Sequence, residues 1–274
     1  MQKMIIRAKN RSYDELRTVS MSYNAFGYAP ASVLFVLGNT KVLCSINMQP
    51  NVPPFLKGSK SGWVTAEYAM LPAATHMRTS RESTSVKRNG RAIEISRLIG
   101  RCLRTIVDLK KLGERTIIID CDVLQADGST RTACITAANY ALHAAQEYWL
   151  KRNVISEPIV KEKIAAVSVG IKDDSALLDL DYHEDSSIDS DFNIVLADSG
   201  RIVEIQGAAE QAMPTWKQFE SIQKLSIKGV RDLMKLCDEQ LKYKKTTSFP
   251  LISHKPKKLK KVPLFSLQNR QLCP

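Results

Sequence analysis

The stretch "VLQADGSTRTACITAANYALHAA", residues 123–145, decides how the rest of the chain is read. It opens as the end of a strand, breaks at Asp127-Gly128, and continues as a long helix. That helix is apolar almost all round, with Ala133, Ile135, Ala137, Ala138, Ala141, Leu142 and Ala144 spread over its circumference. A helix of this kind is buried on several sides. The fold must therefore wrap around it, and its first turn, Ser129-Thr130-Arg131, must open where elements meet.

Outward from this helix the chain alternates between two periods. "SVLFVLGNTKVLCSINM" is two apolar runs around Gly38-Asn39, which predicts a hairpin. "WVTAEYAML" predicts a strand, after a loop marked by Pro, Gly and Ser in "NVPPFLKGSKSGW". Residues 72–90 are polar, basic and unpatterned, and long for a plain loop inside a compact domain. From Arg91, residues Ile95, Leu98, Ile99, Cys102, Ile106 and Leu109 follow helical spacing, with Arg97, Arg101 and Arg104 opposite. The pattern predicts one helix ending at Gly113. "ERTIIIDCDVLQAD" is a strand that sends Asp120 and Asp122 to one face. "KIAAVSVGIK", "ALLDLDY" and the hairpin "DFNIVLADSGRIVEIQG" follow. A long amphipathic helix then starts at Thr215, with Gln218 completing a capping box. Hairpins mixed with long helices indicate an α+β layered fold rather than a strictly alternating parallel sheet. Residues 1–241 read as one domain and 242–274 as a basic tail.

Of 274 residues, 44% are hydrophobic, enough for a full core. No run approaches the roughly 20 apolar residues of a membrane helix. The start, "MQKMIIRAKNRSYDELR", has no apolar signal-peptide core. These features predict a cytoplasmic protein without a membrane partner. The six cysteines include no C-x-x-C pair, so buried reduced thiols are expected rather than a zinc site or disulfide framework. The net charge is +12; the tail from Lys242 carries eight lysines, one arginine and no acid, +9, which leaves +3 for the rest. The tail fits either a solvated extension or an arm that releases counterions from nucleic acid.

Three groupings carry possible chemistry. A helix start presents free N–H groups and a positive dipole end, so "DGSTR" is either an ordinary cap or an anion site. Between residues 76 and 104, Arg78, Arg81, Lys87, Arg88, Arg91, Arg97, Arg101 and Arg104 face only Glu82 and Glu94. This run is either a solvated face or, given the excess of arginine over lysine, a phosphate-binding surface. Asp179, Asp181, Glu184, Asp185, Asp189 and Asp191 crowd "DLDYHEDSSIDSD", which is either a polar turn or a set of hard oxygen ligands for Mg²⁺. There is no P-loop, no Gly-rich dinucleotide turn and no Ser-His-Asp order. Positioning and electrostatics, as in phosphoryl transfer, are the chemistry these groups suit.

"GWVTAEYAMLPAATHMRTSRE", "GRAIEISRLIGRCLR", "LGERTIIIDCDVLQADGSTRTA" and "RIVEIQGAAE" closely resemble the ribonuclease PH family of bacterial phosphate-dependent exoribonucleases. "RSYDELR" and "NVPPFLKG" fit as well, and the resemblance spans about residues 10 to 240. It implies a ribonuclease PH-like, βαβ-rich α+β domain (ribosomal protein S5 domain 2-like) that forms a hexameric ring as a trimer of dimers. It also implies a reaction in which inorganic phosphate, the co-substrate, removes the 3′-terminal nucleotides of tRNA precursors, and of ribosomal RNA, as nucleoside diphosphates. The reverse reaction adds nucleotides.

By the same resemblance, Arg91, Ser129, Thr130 and Arg131 would hold the attacking phosphate. Asp185 and Asp191 would be the catalytic carboxylates and would hold Mg²⁺. Arg78, Arg81, Arg97 and Arg104 would bind RNA, with some serving subunit contacts. Two positions depart from the family pattern. Ala73 stands where an arginine is usual, and Ser129 where a second glycine is usual. If position 129 needs a positive φ, serine is strained there by roughly 1 kcal/mol. The other readings are a non-catalytic RNA-binding ring subunit of an exosome-like assembly and a hydrolytic two-metal nuclease. Members that lose catalysis usually lose the aspartate pair or the phosphate arginine, whereas this chain keeps Arg91, Arg131, Asp185 and Asp191.

Overall fold

A computed structural model describes residue 7 and residues 10–25, 27–81 and 89–245, with side chains up to residue 240. Lys87, Arg88 and residues 246–274 of the basic tail lie outside the described residues.

The first sheet runs β1-β2-β3-β5-β4, built from β1 (Val19–Tyr23), β2 (Ala31–Leu37), β3 (Thr40–Gln49), β4 (Trp63–Met70) and β5 (Thr116–Gln125). β2 and β3 form the expected hairpin around Gly38-Asn39, with Leu37 opposite Thr40. β4 and β5 are parallel and joined through α1 (Gly90–Ile106), which makes a βαβ unit. The second sheet is antiparallel, in the order β7-β6-β8-β9. Its strands are β6 (Ile164–Lys172), β7 (Ser175–Leu178), β8 (Ser190–Ala197) and β9 (Ile202–Ala209).

α3 (Thr130–Lys151) packs against β2 and β3 on one side and β6 on the other, and it also touches α1. Its buried residues lie all round the helix, as its composition demanded. Two polar side chains inside this core have defined work. Asn139 Oδ1 and Thr136 Oγ1 accept from the backbone N–H groups of Ile164 and Ala166, each at 3.1 Å. β7 covers only the later part of β6, Val169 to Lys172, so these side chains satisfy N–H groups that no strand reaches. α5 (Trp216–Lys245) packs on β1, β6 and β7 through Ile222, Leu225, Val230, Leu233 and Cys237. Thr215 and Gln218 form the expected capping box. One buried cluster joins both sheets through α3. The five described cysteines are buried free thiols, and no helix among the described residues is long and apolar enough to cross a membrane.

The helix expected over 91–113 is broken. α1 stops at Ile106 because Val107 turns extended and bridges Val160. Asp108 then accepts from the N–H groups of Lys110 and Lys111 and starts a separate turn, α2 (Leu109–Leu112), which Gly113 closes at φ 67°. Hydrophobic spacing carried through this break because Leu109 and Leu112 face the same core as α1.

The turn before α3 lies hard against the chain leading into α4 (Tyr182–Asp185). Gly128 has φ +73°, and a Cβ there would sit 2.6 Å from the Leu180 carbonyl oxygen and 2.9 Å from the Tyr182 nitrogen. At the β8–β9 turn, Gly200 has φ +83° and open space around it. Both Gly128→Ala and Gly200→Ala force a left-handed alanine, which costs about 1–2 kcal/mol, and only the first also meets backbone. Gly128→Ala is therefore expected to lower the thermal midpoint by several degrees more than Gly200→Ala at equal protein concentration. Equal midpoints by scanning calorimetry would refute the tight approach of the two segments.

Candidate active site

The site assembles from four places in the chain. Arg91 is the second residue of α1, whose start is capped by the Asn89 side chain accepting from the Arg91 N–H at 3.0 Å. The Arg91 guanidinium is exposed and forms no ion pair among the described residues. Arg131 is the second residue of α3. Its Nη1 donates to Gln206 Oε1 at 3.1 Å and lies 3.5 Å from Glu94 Oε1, so β9 and α1 both steer it. Asp185 ends α4 and Asp191 lies on β8, between Gly170 and Ala208 of the flanking strands. Both arginines act electrostatically on both carboxylates.

Ser129 is the N-cap of α3 and adopts φ 55°, ψ 27°, so the position does require the left-handed region. Its hydroxyl makes no cap hydrogen bond. Instead it donates to the Leu180 carbonyl at 2.9 Å and lies 2.7 Å from the Ser168 hydroxyl. Thr130, read as a cap or an anion ligand, is turned inward: its Oγ1 accepts from the Tyr68 hydroxyl at 3.1 Å. The side chains of both residues are thus used up in building the turn. What remains for an anion at this helix start is backbone N–H and the Arg131 fork.

The six acids of residues 179–191 separate into two groups. Asp179 and Glu184 pair with arginines near the N-terminus. Asp181 caps α4 by accepting from the Glu184 N–H. Asp189 accepts from the Asp173 N–H at 3.0 Å. Of the six, Asp181, Asp185 and Asp191 form no ion pair among the described residues, and of these three only Asp181 caps a helix; Asp191 has a long contact, 3.5 Å, from Asn193. Partial burial of the carboxylate and the neighbouring Asp191 raise the Asp185 pKa, although the residue as a whole is exposed. Burial and Glu210 raise the Asp191 pKa. Arg91 and Arg131 act on both in the opposite direction without overcoming these effects. Two half-enclosed carboxylates that repel each other and lack a partner fit a hard divalent cation. No group of three or more possible metal ligands exists among the described residues.

The arginines assigned to RNA fare differently. Arg78 and Arg97 are exposed and form no ion pair among the described residues, and Arg81 is exposed and has a partner. Arg104 is drawn inward. Its Nη1 donates to the Val64 carbonyl at 2.8 Å, and its guanidinium stacks 4.4 Å over Trp63. Its neighbour Arg101 pairs with Glu204 of β9 at 2.6 Å. The arginine face of α1 is therefore divided between internal contacts and solvent. Ala73 is exposed in the turn after β4. The sequence pattern did not single out Gln206, Glu210 or Tyr68, because single polar residues on strands carry no spacing signal.

Comparison with known proteins identifies the family. The profile described as "3' exoribonuclease family, domain 1" matches residues 15–146, and that of domain 2 matches residues 163–228. A protein named Ribonuclease PH from Neisseria meningitidis is 49% identical over 225 residues, covering 82% of this chain and 93% of its own. One of the same name from Bacillus subtilis is 48% identical over 230 residues, covering 84% and 94%. Among solved structures, a chain of the Archaeoglobus fulgidus exosome with RNA bound to the active site superposes with a TM-score of 0.70 at 24% identity, covering 84% of this chain and 91% of that one. Rice Rrp46 superposes at 0.69 and 17% identity, covering 86% and 99%. These two likenesses concern the fold alone. Matches of this extent and identity, over a chain that carries the family's sequence blocks in order, show that it belongs to the ribonuclease PH family of 3′ exoribonucleases.

Proposed function

We propose that the protein is a phosphorolytic 3′→5′ exoribonuclease. The observation that carries this reading is that Arg91 and Arg131 both act electrostatically on two carboxylates, Asp185 and Asp191, that form no ion pair among the described residues. An anion held by the two guanidiniums at the start of α3 would lie beside a phosphodiester approached from the carboxylate side. An oxygen of inorganic phosphate attacks the last phosphodiester phosphorus, and the bond to the 3′ oxygen of the preceding nucleotide breaks. The products are a nucleoside diphosphate and an RNA one nucleotide shorter. Arg91 and Arg131 bind and orient the attacking phosphate. Asp185, whose pKa is raised, is the group we assign to supply a proton to the leaving 3′ oxygen. Mg²⁺ held by Asp191, and by Asp185 once that proton has left, would neutralise charge on the phosphate oxygens.

The substrates we assign are RNA 3′ ends, chiefly tRNA precursors, reached across exposed Arg78 and Arg97. The assembly we assign is a hexameric ring; exposed Ile202 and Ile205 on edge strand β9 suit a subunit contact. Residues 1–241 act as one unit because α3 belongs to the core of both sheets.

Incubation with a 3′-extended RNA and Mg²⁺ is expected to yield nucleoside diphosphates only when phosphate is present. Monophosphates would point to hydrolysis, and no product to a non-catalytic ring subunit; either overturns the proposal. Arg131→Ala should lower phosphate-dependent turnover about a hundredfold or more, with RNA binding mostly kept. Equal loss of both would refute the role of that arginine.

Asp191 also makes stability depend on pH. Its raised pKa means the folded chain holds that proton more tightly than the unfolded chain does. The contribution it makes to stability is present in acid, below the ordinary carboxylate value, and is lost as pH rises through the raised value. Asp191→Asn should therefore abolish turnover yet raise the thermal midpoint at pH 7, the two midpoints converging in acid. A lower midpoint at pH 7 would sink this account. Removal of residues 246–274 should weaken RNA binding and flatten its dependence on salt, measured by titration at two or more ionic strengths.

A further inference from the structure

Beneath the site lies a group of five charged side chains that none of the steps above uses. Asp179 is 2% exposed and left-handed at φ 57°. Its carboxylate accepts from the Arg17 backbone N–H at 2.7 Å, from Arg17 Nε at 3.0 Å and Nη2 at 2.7 Å, and from Arg11 Nη1 at 3.3 Å. Glu184 accepts from Arg7 Nε at 2.7 Å and Nη2 at 2.8 Å, and from Arg11 Nη2 at 2.9 Å. Arg7 is 3% exposed.

Buried ion pairs are weak contributors to stability, since apolar replacements of similar volume are often as stable or more so. They fix geometry well when every donor is used. Here both ends of the group finish on the proposed reaction site. Arg17 Nη1 also donates to the Asp127 carbonyl, and Asp179 Oδ1 lies 3.4 Å from the Ser129 hydroxyl. That end grips the turn that starts α3. At the other end, Glu184 is the residue before Asp185, and its carboxylate also accepts from the Asp181 N–H at 3.1 Å. Arg11 joins the two ends.

We propose that this cluster is a two-armed positioning device: Arg17 with Asp179 sets the phosphate-binding turn, and Arg7 and Arg11 with Glu184 set the Asp185 carboxylate. The inference rests on the phosphorolytic reading, and it makes the two kinetic constants separable. Arg17→Lys keeps a charge beside Asp179 but has no fork to reach the Asp127 carbonyl as well. It should raise the KM for inorganic phosphate about tenfold or more with kcat little changed. Glu184→Gln keeps an acceptor for the Asp181 N–H but loses the charge that holds Arg7 and Arg11. It should lower kcat about tenfold or more with the KM for phosphate little changed.

The experiment is steady-state phosphorolysis of a 3′-extended RNA with phosphate varied, alongside thermal unfolding of each variant. A split of the two constants in the stated directions supports the proposal. A lowered midpoint with both constants unchanged overturns it and leaves a clamp for stability alone, and so does an equal change of both constants in each variant. Should either variant fail to fold, Arg11→Gln, which touches both arms, should raise the KM and lower kcat together; unchanged constants there overturn the proposal too. An unmodified protein that forms no diphosphate would overturn the phosphorolytic reading itself, whereas an active one with unaffected variants would overturn only the positioning role.

Discussion

The site depends on one close approach, the backbone of Gly128 against the carbonyl of Leu180 and the nitrogen of Tyr182. Anion-binding groups and carboxylates come from separate places in the chain, the start of α3 and the segment around α4, with β6 and β7 between them. Only backbone-to-backbone contact brings them near enough to share one substrate. A side chain at 128 would separate them by the width of a methyl group, which at a reacting centre is a large displacement. Three successive devices hold the approach. Thr40 donates to the Gly128 carbonyl at 2.7 Å, Ser129 donates to Leu180 at 2.9 Å, and Arg17 reaches both Asp127 and Asp179.

The acidic cluster shows how a chain can concentrate charge and still leave only part of it reactive. Six acids within thirteen positions would repel strongly if all were free. Arginines, a helix cap and a backbone N–H take up four of them. The remaining two stay without an ion pair, and burial first, then Asp191 beside Asp185 and Glu210 beside Asp191, makes both harder to ionise than ordinary aspartates. A neutral site would be more stable and could not take up a cation. A divalent ion taken up there, as we propose, would offset that excess of negative charge.

Much of this was legible in advance for physical reasons. The all-round apolar pattern of α3 required layers on both sides, and the two sheets supply them. The β2–β3 hairpin, the β8–β9 hairpin and the α5 start each carry a local signal, a glycine turn or a capping box, that does not depend on distant contacts. The break at Val107 was hidden because the bridge to Val160 is a long-range pairing, while hydrophobic spacing continues through it. The inward turn of Arg104 was hidden for a similar reason. Helical spacing puts it on the polar face, but Trp63 of the neighbouring strand offers a ring for its guanidinium to cover. The division of the acids could not be read at all, since the partners of Asp179 and Glu184 lie more than 160 residues earlier in the chain.

Ser129 shows how a departure from a family pattern is absorbed. A left-handed non-glycine residue costs roughly 1 kcal/mol. A neutral hydrogen bond returns about that much when it replaces a water contact in a part-buried place. The Ser129 hydroxyl makes two, to Leu180 and Ser168, and the second partner is itself fixed by accepting from the Leu180 N–H at 3.0 Å. The strain is thus offset at the same residue that creates it, by bonds that tie the turn to the very segment it must approach. Glycine would reach the same conformation without strain but would leave Ser168 and the Leu180 carbonyl without this partner. Serine here exchanges backbone freedom for a stitch between the two halves of the site, and the backbone N–H that an anion would meet is unaffected by the exchange.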